Sequence, residues 1–237
     1  MSAEDEKRAA GEAAAAHVAA LRSQAAGAFT VGLGTGSTAV CFVRALARRQ
    51  LDVDCVPTSD ATAALAAELG LRLVDLEAAG RLEVTVDGAD EIGPGLCLIK
   101  GGGGALLREK LVWEASKTCV VIADAGKRVE RLGAFPLPVE ITPFGWTGTA
   151  ARVRDVFARF GVLEAPVLRT RDGAPFVTDG GHYILDTACR VIDDPVGLAH
   201  ALKGVTGVVD HGLFIGLAST ALIAVGDRVE TVTGGRV

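Results

Sequence analysis

A surplus of positive charge, metal-ligand spacing and long apolar runs are all missing from this sequence. Its 237 residues carry 24 Lys and Arg against 29 Asp and Glu, a formal net charge of −5. That balance gives no electrostatic case for nucleic acid or an acidic membrane as partner, although a local basic site for phosphate is compatible with it. The four histidines, His17, His182, His200 and His211, show no ligand spacing, which predicts no structural metal. The five cysteines, Cys41, Cys55, Cys97, Cys119 and Cys189, are odd in number, widely spaced and form no Cys-x-x-Cys pair. They sit in apolar runs, as reduced, buried thiols of a cytoplasmic protein do. The longest apolar stretch, Gly212 to Gly226, is broken by Gly216, Ser219 and Thr220 and is too short to span a bilayer. The N-terminus is acidic and then alanine-rich, without the basic start and small-residue cleavage site of a signal peptide.

What is present is an alternation of short periodic segments. Residues 4–26 read as an alanine-dominated helix with Val18 and Leu21 adding bulk on one side. Phe29 to Leu33 reads as a buried strand entering a glycine loop, and Ser37 to Ala47 as a helix with a serine or threonine N-cap. Val53 to Thr58, Leu71 to Val74, Leu82 to Asp87, Cys97 to Lys100 and Thr118 to Asp124 read as strands; Asp60 to Gly70 and Ala105 to Ser116 read as helices. Such alternation predicts a doubly wound parallel sheet, in which ligands bind at the carboxyl ends of the strands. The glycine loop, Asp87, Lys100 and Asp124 each follow a strand, so one sheet edge is expected to collect them.

Past Leu132 the texture changes. Pro136, Pro138 and Pro143 lie close together, Ala151 to Phe160 reads as a helix, Val167 to Asp186 as a β-meander and Asp194 to Leu202 as another helix. Gly207 to Ile215 reads as a strand or turn that rejoins the first domain. The expected architecture is α/β: a Rossmann-like parallel sheet flanked by helices over residues 1–131 plus 207–237, and a smaller α+β, ferredoxin-like lobe over residues 132–206, placed at a subunit interface.

Four motifs carry the chemistry. Gly32-Leu-Gly34-Thr-Gly36-Ser-Thr places its third glycine one residue too early for the G-x-G-x-x-G dinucleotide fingerprint, and no acidic residue closes a ribose-binding strand at the usual distance. A nicotinamide cofactor is therefore not expected. The loop reads either as a phosphate cradle at a helix N-terminus or as a tight turn capped by Thr38. Asp87-Gly-Ala-Asp90-Glu91, taken alone, reads as a turn with an N-cap aspartate; three carboxylates that converged there would need a cation or a shared proton. Lys100 followed by four glycines fits an ammonium and bare backbone amides aimed at one ligand. Glu109, on the next helix, has apolar neighbours Ala105, Leu106, Val112 and Trp113 at i±3 and i±4, so its carboxylate is either buried or lines a pocket, as suits a proton-transfer base. Arg108 and Lys110 read as surface charges. Asp124-Ala-Gly126-Lys127 offers a second cation for phosphate or a solvated loop, and Lys7 and Arg8 read as surface charges.

These residues resemble the type A ribose-5-phosphate isomerases. The matching blocks are Gly-Leu-Gly-Thr-Gly-Ser-Thr-Ala, Thr-Val-Asp-Gly-Ala-Asp-Glu-Ile, Ile-Lys-Gly-Gly-Gly-Gly-Ala-Leu-Leu-Arg-Glu-Lys and Ile-Ala-Asp-Ala-Gly-Lys. Phe135-Pro-Leu-Pro-Val-Glu, Thr178-Asp-Gly-Gly-His-Tyr-Ile-Leu-Asp and Gly207-Val-Val-Asp-His-Gly-Leu-Phe follow in family order. The resemblance implies interconversion of ribose 5-phosphate and ribulose 5-phosphate without metal or organic cofactor. It implies substrate contacts from Lys7, Thr35, Gly36, Ser37, Thr38 and Lys127 near the phosphate. Asp87, Gly88, Ala89 and Asp90 would face the sugar hydroxyls, with ring opening assisted by the aspartates, and Gly101, Gly102 and Gly103 would give close backbone contacts. Lys100 would stabilise developing negative charge, and Glu109 would move a proton between C1 and C2 through an enediolate. A homodimer or homotetramer is also implied. The chain departs from the family pattern at Gly126, at Asp179 to His182 and at Phe144 to Trp146.

Two other classes remain to be weighed. A sugar-phosphate sensor domain of related fold should carry a helix-turn-helix and a basic face, and this sequence has neither. A sugar-phosphate hydrolase or amino-sugar isomerase should supply a histidine to the glycine motifs, and none is there.

Overall fold

The structure is a computed structural model and describes residues 2–234. The chain forms two compact units: one holds the residues up to Ala89, Arg108–Lys127 and those from Gly216 on, and the other holds Asp90–Leu107 and Arg128–Ile215.

The first unit begins with α1 (Ala3–Gln24), β1 (Thr30–Leu33), α2 (Ser37–Arg48), β2 (Asp54–Pro57), α3 (Asp60–Glu68), β3 (Arg72–Leu73), α4 (Leu76–Ala79) and β4 (Leu82–Gly88). The chain then contributes β5 (Glu91–Ile92) and β6 (Leu98–Ile99) to the second unit and runs on through α5 (Leu106–Glu114) into β7 (Ser116–Asp124). Next come β8 (Leu137–Ile141), α6 (Trp146–Arg159), β9 (Val167–Leu168), β10 (Thr170–Arg171), β11 (Ala174–Pro175), β12 (Tyr183–Thr187), α7 (Pro195–Lys203), β13 (Val208–His211) and β14 (Leu213–Phe214). The hairpin of β15 (Thr220–Val225) and β16 (Arg228–Thr233) completes the first unit.

In that unit the strands run in the order β16-β15-β7-β4-β1-β2-β3, all parallel except the antiparallel edge strand β16. Val31, Leu33, Val84, Val86, Val120 and Ile122 recur at every second position and join Ala10, Ala14 and Phe42 in one core on one face of the sheet. α1 starts at a capping box in which Ser2 and Asp5 satisfy each other's backbone amides. Its alanine face (Ala10, Ala14, Ala15) lets it lie close to α2; a Cβ on Gly11 would come within 2.7 Å of the Phe42 nitrogen. Phe42 is fully buried in this core; removing such a ring costs about 3–5 kcal/mol.

The second unit has an antiparallel sheet in the order β13-β8-β12-β9, a smaller antiparallel sheet β14-β6-β5 and the hairpin β10–β11. Helices α6 and α7 bury Val153, Phe157, Leu198 and Leu202 in one core with Val139, Ile141 and Leu185. α7 opens on Asp194, whose carboxylate accepts the Gly197 amide, with Pro195 in the first turn. Three segments depart from the sequence expectation. Cys97 to Lys100 yields β6, which pairs with β5 and β14 and not with the parallel sheet. Gly207 to Ile215, expected to rejoin the first domain, instead pairs β13 with β8 and β14 with β6. Within the expected meander, the segment from Val177 to His182 is a turn closed by the Thr178 amide on the His182 carbonyl, and the strand begins only at Tyr183. Short apolar runs do not reveal their pairing partner, which explains all three.

Candidate active site

In the first unit, parallel pairing of β7, β4 and β1 sets three strand ends side by side. The glycine loop follows β1, Asp87 lies near the end of β4 and Asp124 ends β7. Asp87 is fully buried, and its Oδ1 accepts the Thr35 amide at 3.1 Å and the Gly88 amide at 2.7 Å. The Gly34 amide donates to the Val86 carbonyl at 2.9 Å. A Cβ on Gly34 would overlap the Asp87 carboxylate, so this position requires glycine.

Thr35 lies at the centre of a hydroxyl cluster that sequence motifs did not reveal. Its Oγ1 is 2.8 Å from Thr58 Oγ1, 2.8 Å from Ser59 Oγ and 3.2 Å from Thr62 Oγ1. Thr58 and Thr62 in turn donate to the Leu33 and Gly34 carbonyls. The Thr35 hydroxyl thus shapes the loop from within. The N-cap of α2 is not Ser37 or Thr38 but Gly36, at φ 109°, with no side-chain cap bond. Thr38 is buried, while Gly36 and Ser37 are exposed. A helix start without a side-chain cap, reached through a positive-φ glycine, leaves its first amides to an anion.

Glu6, another residue without a motif, fastens α1 to the loops of this unit. Its two carboxylate oxygens accept the Ala125 amide (3.3 Å) and the Gly226 amide (2.9 Å). Lys7, beside it, is partly buried and lies 3.8 Å from Glu4. Lys127 is half-buried at the end of the turn Ala125–Lys127; in the same turn Gly126 donates to Asp124 Oδ1 at 3.0 Å.

Glu109 lies in the first turn of α5 and is 4% exposed. Ala105, Leu106, Val112 and Trp113 are all buried, as the apolar spacing around Glu109 requires. Arg108 reaches Asp60 at 2.7 Å with a partly exposed side chain. Lys110, read from the sequence as a surface charge, is buried instead, while Leu111 and Glu114 of the same helix are exposed. Alternation of charge along a sequence does not say which side of a helix the tertiary packing covers.

In the second unit Lys100 is 2% exposed. Its amide donates to the Gly212 carbonyl at 2.9 Å, and its Nζ lies 5.4 Å from the centre of the Phe214 ring, a cation–π arrangement. A Cβ on Gly212 would overlap the Lys100 carbonyl oxygen. Gly101 takes φ 103°, and the Gly104 amide closes a turn on the Gly101 carbonyl at 3.0 Å. Asp90 accepts the Gly102 amide on Oδ2 at 2.8 Å. One of the glycine amides expected to face a ligand is thus directed at Asp90. Glu91 is buried and accepts the Gly133 amide (2.7 Å) and the Phe135 amide (2.5 Å). Within the second unit, Asp90 and Glu91 accept backbone amides of different segments.

Burial pushes the Cys55 and Cys189 thiols up to about 12 and raises those of Cys41 and Cys97. Among the described residues no group of three or more His, Cys, Asp or Glu is placed to hold a metal ion, and no helix is long and apolar enough to cross a membrane.

Known proteins match this chain along its length. The family described as Ribose 5-phosphate isomerase A (phosphoriboisomerase A) matches residues 54–228. Ribose-5-phosphate isomerase A of Caulobacter sp. (strain K31) is 59% identical over 223 residues, covering 94% of this chain and 95% of that protein. The crystal structure of ribose 5 phosphate isomerase A from Neisseria gonorrhoeae superposes with a TM-score of 0.86 at 32% identity, covering 98% of this chain and 97% of that one. A D-ribose-5-phosphate isomerase in complex with phospho-erythronic acid superposes with a TM-score of 0.87 at 30% identity, covering 98% and 100%. The Rossmann-like α/β fold is common to these structures. By sequence and by fold, this chain belongs to the ribose 5-phosphate isomerase A family.

Proposed function

We propose that Glu109 carries the proton in the interconversion of D-ribose 5-phosphate and D-ribulose 5-phosphate, the aldose–ketose isomerisation of this family. The observation that carries this reading is a carboxylate only 4% exposed on a helix whose neighbouring residues are apolar. A base held in apolar surroundings is presented to a carbon acid and not spent on hydrogen bonds to bulk water.

In this reading Asp87 and Asp90 bind the sugar hydroxyls and assist opening of the furanose ring. Glu109 then removes the C2 proton of the open aldehyde; the C2–H electrons form the C1–C2 double bond, and negative charge moves to O1. Lys100 stabilises that charge. Glu109 returns the proton to C1 while the O2 proton passes to O1, so the C2=O bond forms, the charge on O1 is discharged and the ketose results with no net change in atoms or electrons. The uncapped start of α2 at Gly36, Ser37 and Thr38 receives the phosphate, with Lys7 and Lys127 as its cations. Gly88, Ala89, Gly101, Gly102 and Gly103 supply backbone contacts. The chain works without cofactor in the cytoplasm as a homodimer or homotetramer, with the smaller lobe at the subunit contact; the exposed Phe144, Leu163 and Val167 of the second unit suit such a contact.

Incubation with ribose 5-phosphate in deuterated water, followed by NMR, tests the reaction and its route together. Ribulose 5-phosphate carrying solvent deuterium at C1 is expected at equilibrium. No ketose product overturns the isomerase reading, and ketose without any deuterium overturns the enediolate in favour of hydride transfer. Size-exclusion chromatography with light scattering tests the oligomer; a monomer at micromolar concentration overturns that part.

A further inference from the structure

Arg169 follows the edge strand β9 and lies outside every motif quoted above. Its backbone is fixed on both sides: its amide donates to the Ile184 carbonyl at 2.8 Å and its carbonyl accepts the Phe176 amide at 2.9 Å. The guanidinium forks onto Asp186, with Nε to Oδ2 at 2.8 Å and Nη2 to Oδ1 at 2.6 Å. The side chain is only 15% exposed. The remaining nitrogen, Nη1, donates to the Gly101 carbonyl at 2.9 Å and to the Gly102 carbonyl at 3.2 Å. The Phe176 ring reinforces the arrangement. It lies 5.8 Å from the Arg169 guanidinium carbon and 4.5 Å from that of Arg171, and a Cβ on Gly104 would come within 2.5 Å of it.

A trans peptide unit points its carbonyl and its N–H in opposite directions. Holding the Gly101 carbonyl on Arg169 therefore turns the Gly102 amide away from the guanidinium, and that amide lands on Asp90 at 2.8 Å. Holding the Gly102 carbonyl does the same for the Gly103 amide. A run of glycines has no side chains to fix these planes and would otherwise sample many orientations. An arginine locked by a bidentate carboxylate is a rigid template that a lysine's single point charge cannot reproduce.

We propose that Arg169, anchored by Asp186, is a positioning residue for the isomerisation: it sets the peptide planes of Gly101 and Gly102, which holds the Gly102 amide on the Asp90 carboxylate and turns the Gly103 amide away from the guanidinium as a preorganised donor to a substrate oxygen. This rests on the isomerase reading above. Donors held in place before charge develops act mainly on the transition state, so their loss falls on turnover more than on binding.

The test uses the full chain with the variants Arg169→Ala, Arg169→Lys, Asp186→Asn and the Ala/Asn double variant, assayed for kcat and KM on ribose 5-phosphate beside thermal melting. Arg169→Ala is expected to lower kcat at least tenfold with KM changed less than threefold. Millimolar guanidinium should restore part of that kcat. Arg169→Lys should recover less than half of the lost rate, and the double variant should lose no more than Arg169→Ala alone, because the two side chains act as one unit. Wild-type kcat in a folded Arg169→Ala or Arg169→Lys protein overturns the proposal. So does a loss that multiplies between the two sites, or one that only follows the folded fraction. Should Arg169→Ala fail to fold, Arg169→Lys and Asp186→Asn carry the same comparison. A wild-type protein inactive on ribose 5-phosphate sinks the isomerase reading itself, an outcome distinct from any difference among the variants.

Discussion

The Asp87 carboxylate accepts the Thr35 amide at 3.1 Å, so one buried acceptor ties the loop after β1 to the end of β4. Asp87→Asn keeps an oxygen acceptor in place and removes the charge. We expect the fold to survive, with stability changed by about 1 kcal/mol, and turnover of ribose 5-phosphate to fall at least tenfold. Full activity in the folded variant would remove Asp87 from the chemistry. Gly34→Ala forces a methyl onto the same carboxylate and is expected to cost about 1–3 kcal/mol in urea denaturation.

Glu109→Gln removes the base without changing the shape of a buried side chain. The expected result is an intact fold, little change in KM and a kcat lower by about 10²–10⁴, the usual contribution of general acid–base catalysis. Near-normal isomerase activity in this variant is incompatible with the assigned role.

Lys100→Ala should slow catalysis more than it weakens binding, because a cation aimed at developing charge acts on the transition state. Steady-state kinetics give the answer directly. An unchanged kcat with a raised KM would make Lys100 a binding residue and nothing more.

The cysteines give a prediction in pH. Burial raises Cys55 and Cys189 from the ordinary value of 9.0 to about 12, so at pH 8 about one part in 10⁴ of each is thiolate. Native protein should therefore leave both unalkylated by iodoacetamide, while urea-unfolded protein takes up label, as read by peptide mass spectrometry. Folding favours the protonated thiols. That contribution is complete below the unfolded value near 9 and is lost as pH rises through about 12. Chemical stability should thus decline over the same window, and a stability curve flat from pH 9 to 11 would argue against it.

Chelation should change nothing. The proposed enediolate route uses an acid–base group and a cation, the roles proposed for Glu109 and Lys100. Activity abolished by EDTA and restored by a divalent ion would contradict this.

The first unit was largely legible in advance because its strands and helices declare themselves by period. β1, β2, β4 and β7 match apolar runs, and α3 begins at Asp60, where the sequence reading placed a helix start. Glu109 was separable from its charged neighbours because four apolar residues surround it at helical spacing. Lys110 was misread because burial of a helix face depends on what packs over it. The hydroxyl cluster of Thr58, Ser59 and Thr62 around Thr35 joins residues 23 to 27 apart. Glu6 reaches Ala125 across 119 residues and Gly226 across 220. No local pattern marks such partners.

The sequence by itself determined the alternating α/β order, the glycine-bearing motifs and which residues are candidates to bind phosphate, stabilise charge and move a proton, because those properties depend on residue type and short spacing. Only the tertiary structure decided which strand ends lie side by side, which carboxylate takes which backbone amide, and that Arg169 and Asp186 hold the glycine run. The reason is physical: a hydrogen bond of about 3 Å between groups tens of residues apart depends on strand pairing and packing, and a chain's local period carries no record of either.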